Sequence, residues 1–420
     1  MKSIVKFRMA VALLSATGLI LPIIPAEAKT AAAALKVGTI FPLTGELEAY
    51  GPSLASAAAL GISQVNASIK KNKLTGSCTL AGSEDDKTNA AGGVAAATNL
   101  VKKKKANVVI GSMASSVTLA IAKAVTVPSN VILISPLSSS KNITSVADKD
   151  TVFRTFPSDL KQAKALVASM ALNLGEDATI NVGSLETDFD NALVADFKKA
   201  WIANGGKIGA EVSWTSDVTS LKPQAQQLVV GAPDGWLLVD NQSTISDLVR
   251  ALSSTGKWQP ESTFTTDILN SKALIASIGA KYLEGVRGVT STFAGENQDS
   301  FQTLFESKFP DLTFTGYEPL AYDAAVLACL ASVSAKSVVT KDLITALRKV
   351  SGPKGTKYSW QKLDAAVKAI AAGKPATYVG AWSEVDFDKQ GDPGSTSFDL
   401  FTVTSGIPEI LPEDKFVVTG

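Results

Sequence analysis

Two corners of this chain gather residues that could hold a small anion. The first reads Asn107-Val-Val-Ile-Gly-Ser-Met-Ala-Ser115-Ser116-Val-Thr118, the second Val131-Ile-Leu-Ile-Ser-Pro136-Leu137-Ser138-Ser139-Ser140. In each, a short aliphatic and β-branched run, the pattern of a buried parallel strand, ends in small hydroxyl residues of the kind that cap helices. A helix start presents free backbone N–H groups and a partial positive charge. Ser115, Ser138 and Ser139 are therefore candidate partners for a carboxylate or phosphate. Two such corners at the carboxyl ends of neighbouring parallel strands make a binding crevice. Capping alone would also account for either corner without a ligand.

The chain has no histidine, which removes His-based triads, His-ligated metals and imidazole acid–base chemistry. Its two cysteines cannot complete a Cys/His zinc site. Asp and Glu number 39, so carboxylate-only catalysis stays open. Glu84-Asp85-Asp86 reads as a solvated turn. Asp386-x-Asp388-x-Gln390-Gly391 begins like a calcium loop but has Ser397 where a bidentate Glu belongs. No P-loop and no G-x-G-x-x-G occur. Neither a metal nor a cofactor is expected.

The elements that must position these residues alternate between strand and helix. Strands are expected at Leu35–Phe41, Cys78–Gly82, Val108–Ile110, Val131–Ile134, Ala178–Leu185, Glu211–Trp214, Gly235–Val239, Ser262–Thr266 and Val286–Thr290. Helices are expected between them, among them Pro52–Asn66 and Thr88–Lys105. Helices at Gln298–Lys308, Tyr322–Ser332, Thr340–Val350 and Lys362–Ala372 follow, then short strands near Thr377–Phe387 and Phe398–Val403. Such alternation implies α/β architecture in two doubly wound lobes with parallel sheets. The last part has too few strands for a third domain, so the chain should cross between the lobes more than once.

Residues 1–28 read as a signal peptide. Lys2, Lys6 and Arg8 precede the apolar run Met9–Ile24, and Ala26-Glu27-Ala28 has a small-x-small cleavage form. Lys29 and not a cysteine stands directly after it, so lipid attachment there is not expected, and no later segment reads as long and apolar enough to span a membrane. A periplasmic or secreted product is expected. The formal charge is +1, and −1 without the leader, which gives no support to nucleic-acid binding. The run Lys102–Lys105 suits a helix C-terminus. Cys78 and Cys329 either pair in an oxidising compartment or lie buried as thiols.

The ordered set of motifs resembles the leucine/isoleucine/valine-binding protein family, the type I periplasmic binding proteins of ABC importers. The matching segments are Val37-Gly-Thr-Ile-Phe-Pro-Leu-Thr-Gly45, Tyr50-Gly51, Ile110-Gly with Ser115-Ser116-x-Thr118, Ile134-Ser-Pro136, and Phe153-Arg154 with Asp159. Phe264-Thr-Thr-Asp267, Glu284-Gly285-Val286, Ala321-Tyr322-Asp323-Ala324 and Phe387-Asp388-x-x-Gly391-Asp392 follow in family order. The resemblance implies two Rossmann-like lobes joined by three crossovers, near Asp159, Thr290 and Asp392, that close on a ligand. It divides the chain into 35–158 plus 292–390 and 159–291 plus 391–420. Ser115 and Ser139 would hold a ligand carboxylate, and the Leu137 carbonyl and Asp267 its ammonium. Tyr50, Phe189 and Tyr317 would line the cleft, with Asp159 beside the first hinge. The implied protein is a non-enzymatic, monomeric carrier that passes a small molecule, foremost an amino acid, to an importer permease. A zwitterion needs donors at one end and acceptors at the other, which these residue types provide.

The chain departs from the family where Ser139 replaces a usual threonine, Asn241 and Gln242 a common aromatic, and Asp190 a glycine after Phe189. A polar or short ligand side chain is therefore expected. Urea or a short amide on the same scaffold, a carboxylate hydrolase and a sensor domain are the competing functions.

Overall fold

The computed structural model describes residues 34–291 and 296–419, so the expected leader lies outside the described residues. β1 (Ala34–Phe41), β2 (Ser77–Asp85), β3 (Val108–Ile110), β4 (Ile132–Ser135) and β5 (Val152–Arg154) form an all-parallel sheet, ordered β2-β1-β3-β4-β5. Next come β6 (Thr179–Leu185), β7 (Lys207–Trp214), β8 (Gly235–Val239), β9 (Thr263–Thr265) and β10 (Arg287–Ser291). β11 (Thr356–Ser359) and β12 (Ala376–Val379) make a separate parallel pair. With β13 (Ser395–Thr404) and β14 (Ile407–Thr419), the second sheet has the order β14-β13-β10-β9-β8-β6-β7. It is parallel up to β10 and antiparallel beyond.

Both sheets are covered on both faces, which is why β3, β4 and β8 are buried along their whole lengths. The first sheet packs on one face against Leu54, Val65, Leu327 and Leu330, and on the other against Leu100, Val117 and Ile121. The second packs against Leu248, Leu252 and Ile275 on one face and Leu166, Phe197 and Trp201 on the other. Fully burying such side chains contributes about 1.5–3 kcal/mol each.

The helix Glu318–Ala335 runs through the first core, buried from Glu318 to Ser332. This corrects the expectation that no later segment is apolar enough to span a membrane. By length and hydropathy this helix is, yet 78% of it is buried inside the protein, where it packs on the helix Gly51–Lys71. Cys329 on it forms a disulfide with Cys78 on β2, with Cα atoms 5.6 Å apart.

The chain leaves the first lobe after β5, returns after β10 to lay the helix Glu318–Ala335 in the first core, and crosses again to reach β13. The third crossover is pinned by a turn in which Asp388 accepts from the N–H groups of Gln390 and Asp392 at 2.8 and 3.0 Å. The Asp388 carboxylate of the calcium-like motif is thus spent on its own backbone.

Some elements differ from expectation. The helix expected over Thr88–Lys105 ends as an α-helix at Thr98 and continues as a wider turn over Asn99–Lys103. The strand expected over Thr377–Phe387 stops at Val379, and residues 380–385 form a loop. β14 was not foreseen. It returns from β13 through Ser405-Gly406, both at positive φ (53° and 80°), a two-residue hairpin turn of the primed kind.

Candidate functional site

A cavity of about 80 Å³ lies between elements of the two lobes. From the first come Tyr50, Thr315, Gly316, Tyr317 and Trp382; from the second, Gln242, Asp267, Ile268, Asn270, Ser271 and Thr290. Tyr50 and Tyr317 occupy equivalent positions. Each is the residue before a helix whose first turn holds a proline, Pro52 and Pro319, whose fixed φ suits a helix start. Their ring centroids are 6.0 Å apart. The Glu318 carboxylate accepts from the N–H groups of Thr315 and Gly316, both at 2.9 Å, and so shapes the loop ahead of Tyr317.

Asp267 follows β9 and opens a short 3₁₀ turn. Tyr317 Oη donates to its Oδ2 at 2.7 Å, a hydrogen bond from lobe to lobe, and Gln162 Nε2 to its Oδ1 at 3.3 Å. Burial, reinforced by the neighbouring Asp267 charge, pushes the Tyr317 phenol well up and the Tyr50 phenol up. Both rings are therefore neutral donors at any physiological pH. Among the described residues lining the cavity there is no lysine or arginine, so the Asp267 carboxylate faces it without a cation.

The two serine corners are knitted to each other. Gly111 follows β3 at φ +129°, and a Cβ there would fall 2.0 Å from the Ile40 carbonyl oxygen, so only glycine fits. Ser135 Oγ donates to the Ser112 carbonyl at 2.8 Å, and Ser138 Oγ lies 2.8 Å from Thr118 Oγ1. Ser138 N–H in turn donates to Ser135 Oγ at 3.0 Å. Ser138 is wholly buried, with its hydroxyl engaged inside the corner. Ser115 is the first helical residue and not the cap, which is Ala114. Its Oγ accepts the Ser140 N–H at 3.2 Å, and its side chain stays half-exposed. Leu137 and Ser139 are buried.

Asp159 starts the helix Asp159–Leu174 at the first crossover, and its N–H donates to the Ser139 carbonyl at 2.8 Å. Desolvation raises its carboxyl to about 6, against the pull of the Ser139 hydroxyl and the Arg154 guanidinium. Burial likewise lifts Asp190 and Asp240 to about 7. Lys141, beyond the second corner, pairs with the buried Asp196 of the helix Asp188–Ala203. Phe189, on that helix, is exposed.

The cavity thus brings together Tyr50, Asp267 and Tyr317, while Ser115, Leu137, Ser138, Ser139 and Phe189 do not line it. Sequence reasoning missed Asn270, Ser271, Thr290, Thr315 and Trp382. Asn270 and Ser271 lie three and four residues beyond Asp267, a signal that was available; Trp382 carried none.

A periplasmic binding protein family model matches residues 34–375. The chain belongs to that family. Solved structures of other periplasmic binding proteins share its fold. The leucine binding protein LivK of Thermotoga maritima is 19% identical with a TM-score of 0.68, over 92% of this chain and 99% of that one. LivJ of Streptococcus pneumoniae, solved with isoleucine, is 18% identical with a TM-score of 0.69, over 92% and 100%. A solute binding protein of R. palustris, solved with benzoate, is 18% identical with a TM-score of 0.66, over 92% and 98%. Comparison with curated protein sequences finds no match. The family's two-lobed α/β fold is the one described above; the R. palustris relative is a solute binding protein of an ABC transporter, and LivJ is the substrate binding protein of a branched-chain amino acid transporter.

Proposed function

We propose that this chain is an exported carrier that captures a small α-amino acid between its lobes and delivers it to the permease of an ABC importer. The observation that carries the reading is the Asp267 carboxylate, which faces the cavity with hydroxyl and amide partners and no lining cation. A ligand ammonium supplies that countercharge, and its desolvation on closure is offset only by such a partner. The isoleucine and benzoate of the two solved relatives share a carboxylate. On this chain Ser115 suits that group. Its oxygen accepts from Ser140, and its hydroxyl proton remains to be given. Ser139 joins it, Ser138 backs the corner, and the Leu137 carbonyl is a second acceptor for the ammonium. Phe189 lies open for contact as the lobes close. A ligand touching both lobes stabilises the closed state over the open one. The working unit is a monomer of lobes 35–158 plus 292–390 and 159–291 plus 391–420, with no catalytic step.

One observation favours a second reading. Gln162 already donates to Asp267, and Gln242 and Asn270 stand on the cavity wall, a lining that also suits urea or a short amide. Calorimetric titration of the exported form with amino acids, urea and benzoate separates the two. For the amino-acid reading, Asp267→Ala lowers amino-acid affinity on the order of a hundredfold, the scale of a charge-assisted hydrogen bond lost. Retained affinity in that variant, or a response to urea alone, overturns it.

A further inference from the structure

The loop Gly380–Trp382 follows β12 and carries an indole on the cavity wall. Its shape is set by one carboxylate. Asp323, in the second turn of the core helix Glu318–Ala335, has no solvent exposure. Ala381 N–H donates to its Oδ1 and Trp382 N–H to its Oδ2, both at 2.8 Å, and Tyr378 Oη donates to Oδ1 at 2.7 Å. Gly380 N–H closes the turn onto the Ser383 carbonyl at 3.1 Å. A Cβ on Gly380 would fall 2.3 Å from Asp323 Oδ2, so the loop can approach the carboxylate this closely only as glycine. The indole leans on Phe156, centroids 6.2 Å apart, just before the first crossover.

A carboxylate deep in an apolar helix costs stability that a well-packed apolar residue would not, so its presence calls for a role beyond packing. Here its two oxygens take up consecutive backbone N–H groups, fixing the direction in which the Trp382 side chain leaves the backbone. We propose that Asp323 is a positioning residue of the binding site. Through the Ala381 and Trp382 N–H groups it sets the indole wall, and so limits the size of ligand side chain the cavity admits. The wall is independent of the ligand; the size limit rests on the amino-acid reading above.

The test has two arms on the exported form labelled with 5-fluorotryptophan. The chain has six tryptophans, and Trp382→Phe assigns the Trp382 line in the fluorine NMR spectrum. Asp323→Asn turns one acceptor into a donor that faces a backbone N–H. Without ligand, it moves or broadens the Trp382 line and leaves the other five in place. Gly380→Ala attacks the same contact from the loop side and serves if Asp323→Asn does not accumulate. Tyr378→Phe removes a donor to the same carboxylate but none from the loop, so it lowers Tm and leaves the Trp382 line unmoved. In the second arm, the affinity ratio of L-phenylalanine to L-alanine changes about tenfold in Asp323→Asn and Gly380→Ala, the scale of a resized pocket, and stays at the wild-type value in Tyr378→Phe. A Trp382 line unmoved in both loop variants overturns the proposal, as does a ratio that shifts equally in Tyr378→Phe. If the wild type binds no amino acid, the amino-acid reading fails, while the fluorine arm still decides whether Asp323 sets the wall.

Discussion

The serine corner of the first lobe and the acids at the start of the second bury polar groups in opposite ways. At the corner, neutral hydroxyls and carbonyls bond to one another: Ser135 to Ser112, Ser138 to Thr118, and Ser138 N–H back to Ser135. Beyond the first crossover, Asp159, Asp190 and Asp240 are 1%, 3% and 4% exposed, and their carboxyls are lifted to between about 6 and about 7. The hydroxyls and carbonyls of the corner do not themselves titrate, although the corner is anchored on charged groups, Asp86 under the Ser112 hydroxyl and Arg154 on the Ser140 carbonyl. The buried acids make the stability of their lobe a function of proton concentration. The difference leaves the corner's hydroxyls as a frame that does not titrate and gives the second-lobe rim the larger proton linkage.

The largest effect expected lies at the one ion pair inside the corner. Arg154, fully buried, donates to both Asp392 oxygens at 2.7 and 2.6 Å, to the Ser140 carbonyl at 2.9 Å and to Thr144 Oγ1 at 2.6 Å. It ties the serine corner to the third crossover. Arg154→Met leaves Asp392 buried without its cation and costs about 3–5 kcal/mol in urea unfolding. A cost under about 1 kcal/mol would show that the corner holds its shape without the guanidinium.

The second effect concerns the acid rim. The folded-state values of Asp190 and Asp240, near 7, lie above the ordinary 3.8, so between these limits the folded protein holds protons the unfolded chain has released. Their contribution is complete below about pH 4 and is lost as pH rises through 7. Asp190 feels Asp159, and Asp240 feels Asp190, so the titrations are linked. Asp190→Asn and Asp240→Asn mimic the protonated forms. Each should flatten the fall in unfolding free energy between pH 4 and 7 by roughly 2 kcal/mol, within the limit of about 1.4 kcal/mol per pH unit per proton. Asp323, also near 7, titrates alike in wild type and variants and so cancels. Parallel pH profiles for wild type and both variants would remove the rim's distinction from the corner.

The alternation of apolar strands and helices was enough to place both sheets and to require more than one crossover, because parallel strands covered on both faces must be written as aliphatic runs such as Val108–Ile110; the number three came from the family resemblance. β14 escaped because its turn, Ser405-Gly406, lacks the Asn-Gly or Asp-Gly signature. In the cavity, Tyr50, Asp267 and Tyr317 were legible through the family resemblance, which sets each of them in the cleft. Trp382 was not, since its place depends on Asp323, far away in sequence. The partition of the serines was equally hidden. The corner sequence shows hydroxyls, but only the folded chain shows which are engaged.

That partition supplies the smallest effect and the sharpest one. Ser138 is wholly buried and its hydroxyl meets Thr118 Oγ1 and the Met113 carbonyl at 2.8 and 3.2 Å. Ser138→Ala should therefore cost stability, about 1 kcal/mol, and leave ligand affinity within about twofold. Ser115 is half-exposed and only accepts, from Ser140 N–H. Ser115→Ala forfeits a similar hydrogen bond, but it also removes the free hydroxyl proton assigned to the ligand carboxylate. Its affinity should fall about tenfold, the worth of one hydrogen bond to a charged group. Measured by thermal unfolding and calorimetry on the same preparations, the two variants should separate along different axes. If both lose affinity alike, the corner acts as one unit and its network, not the single hydroxyl of Ser115, holds the ligand. If neither does, the carboxylate is bound on the cavity wall and not at the corner, with Asn270 and Ser271 the nearest lining donors to Asp267 in sequence.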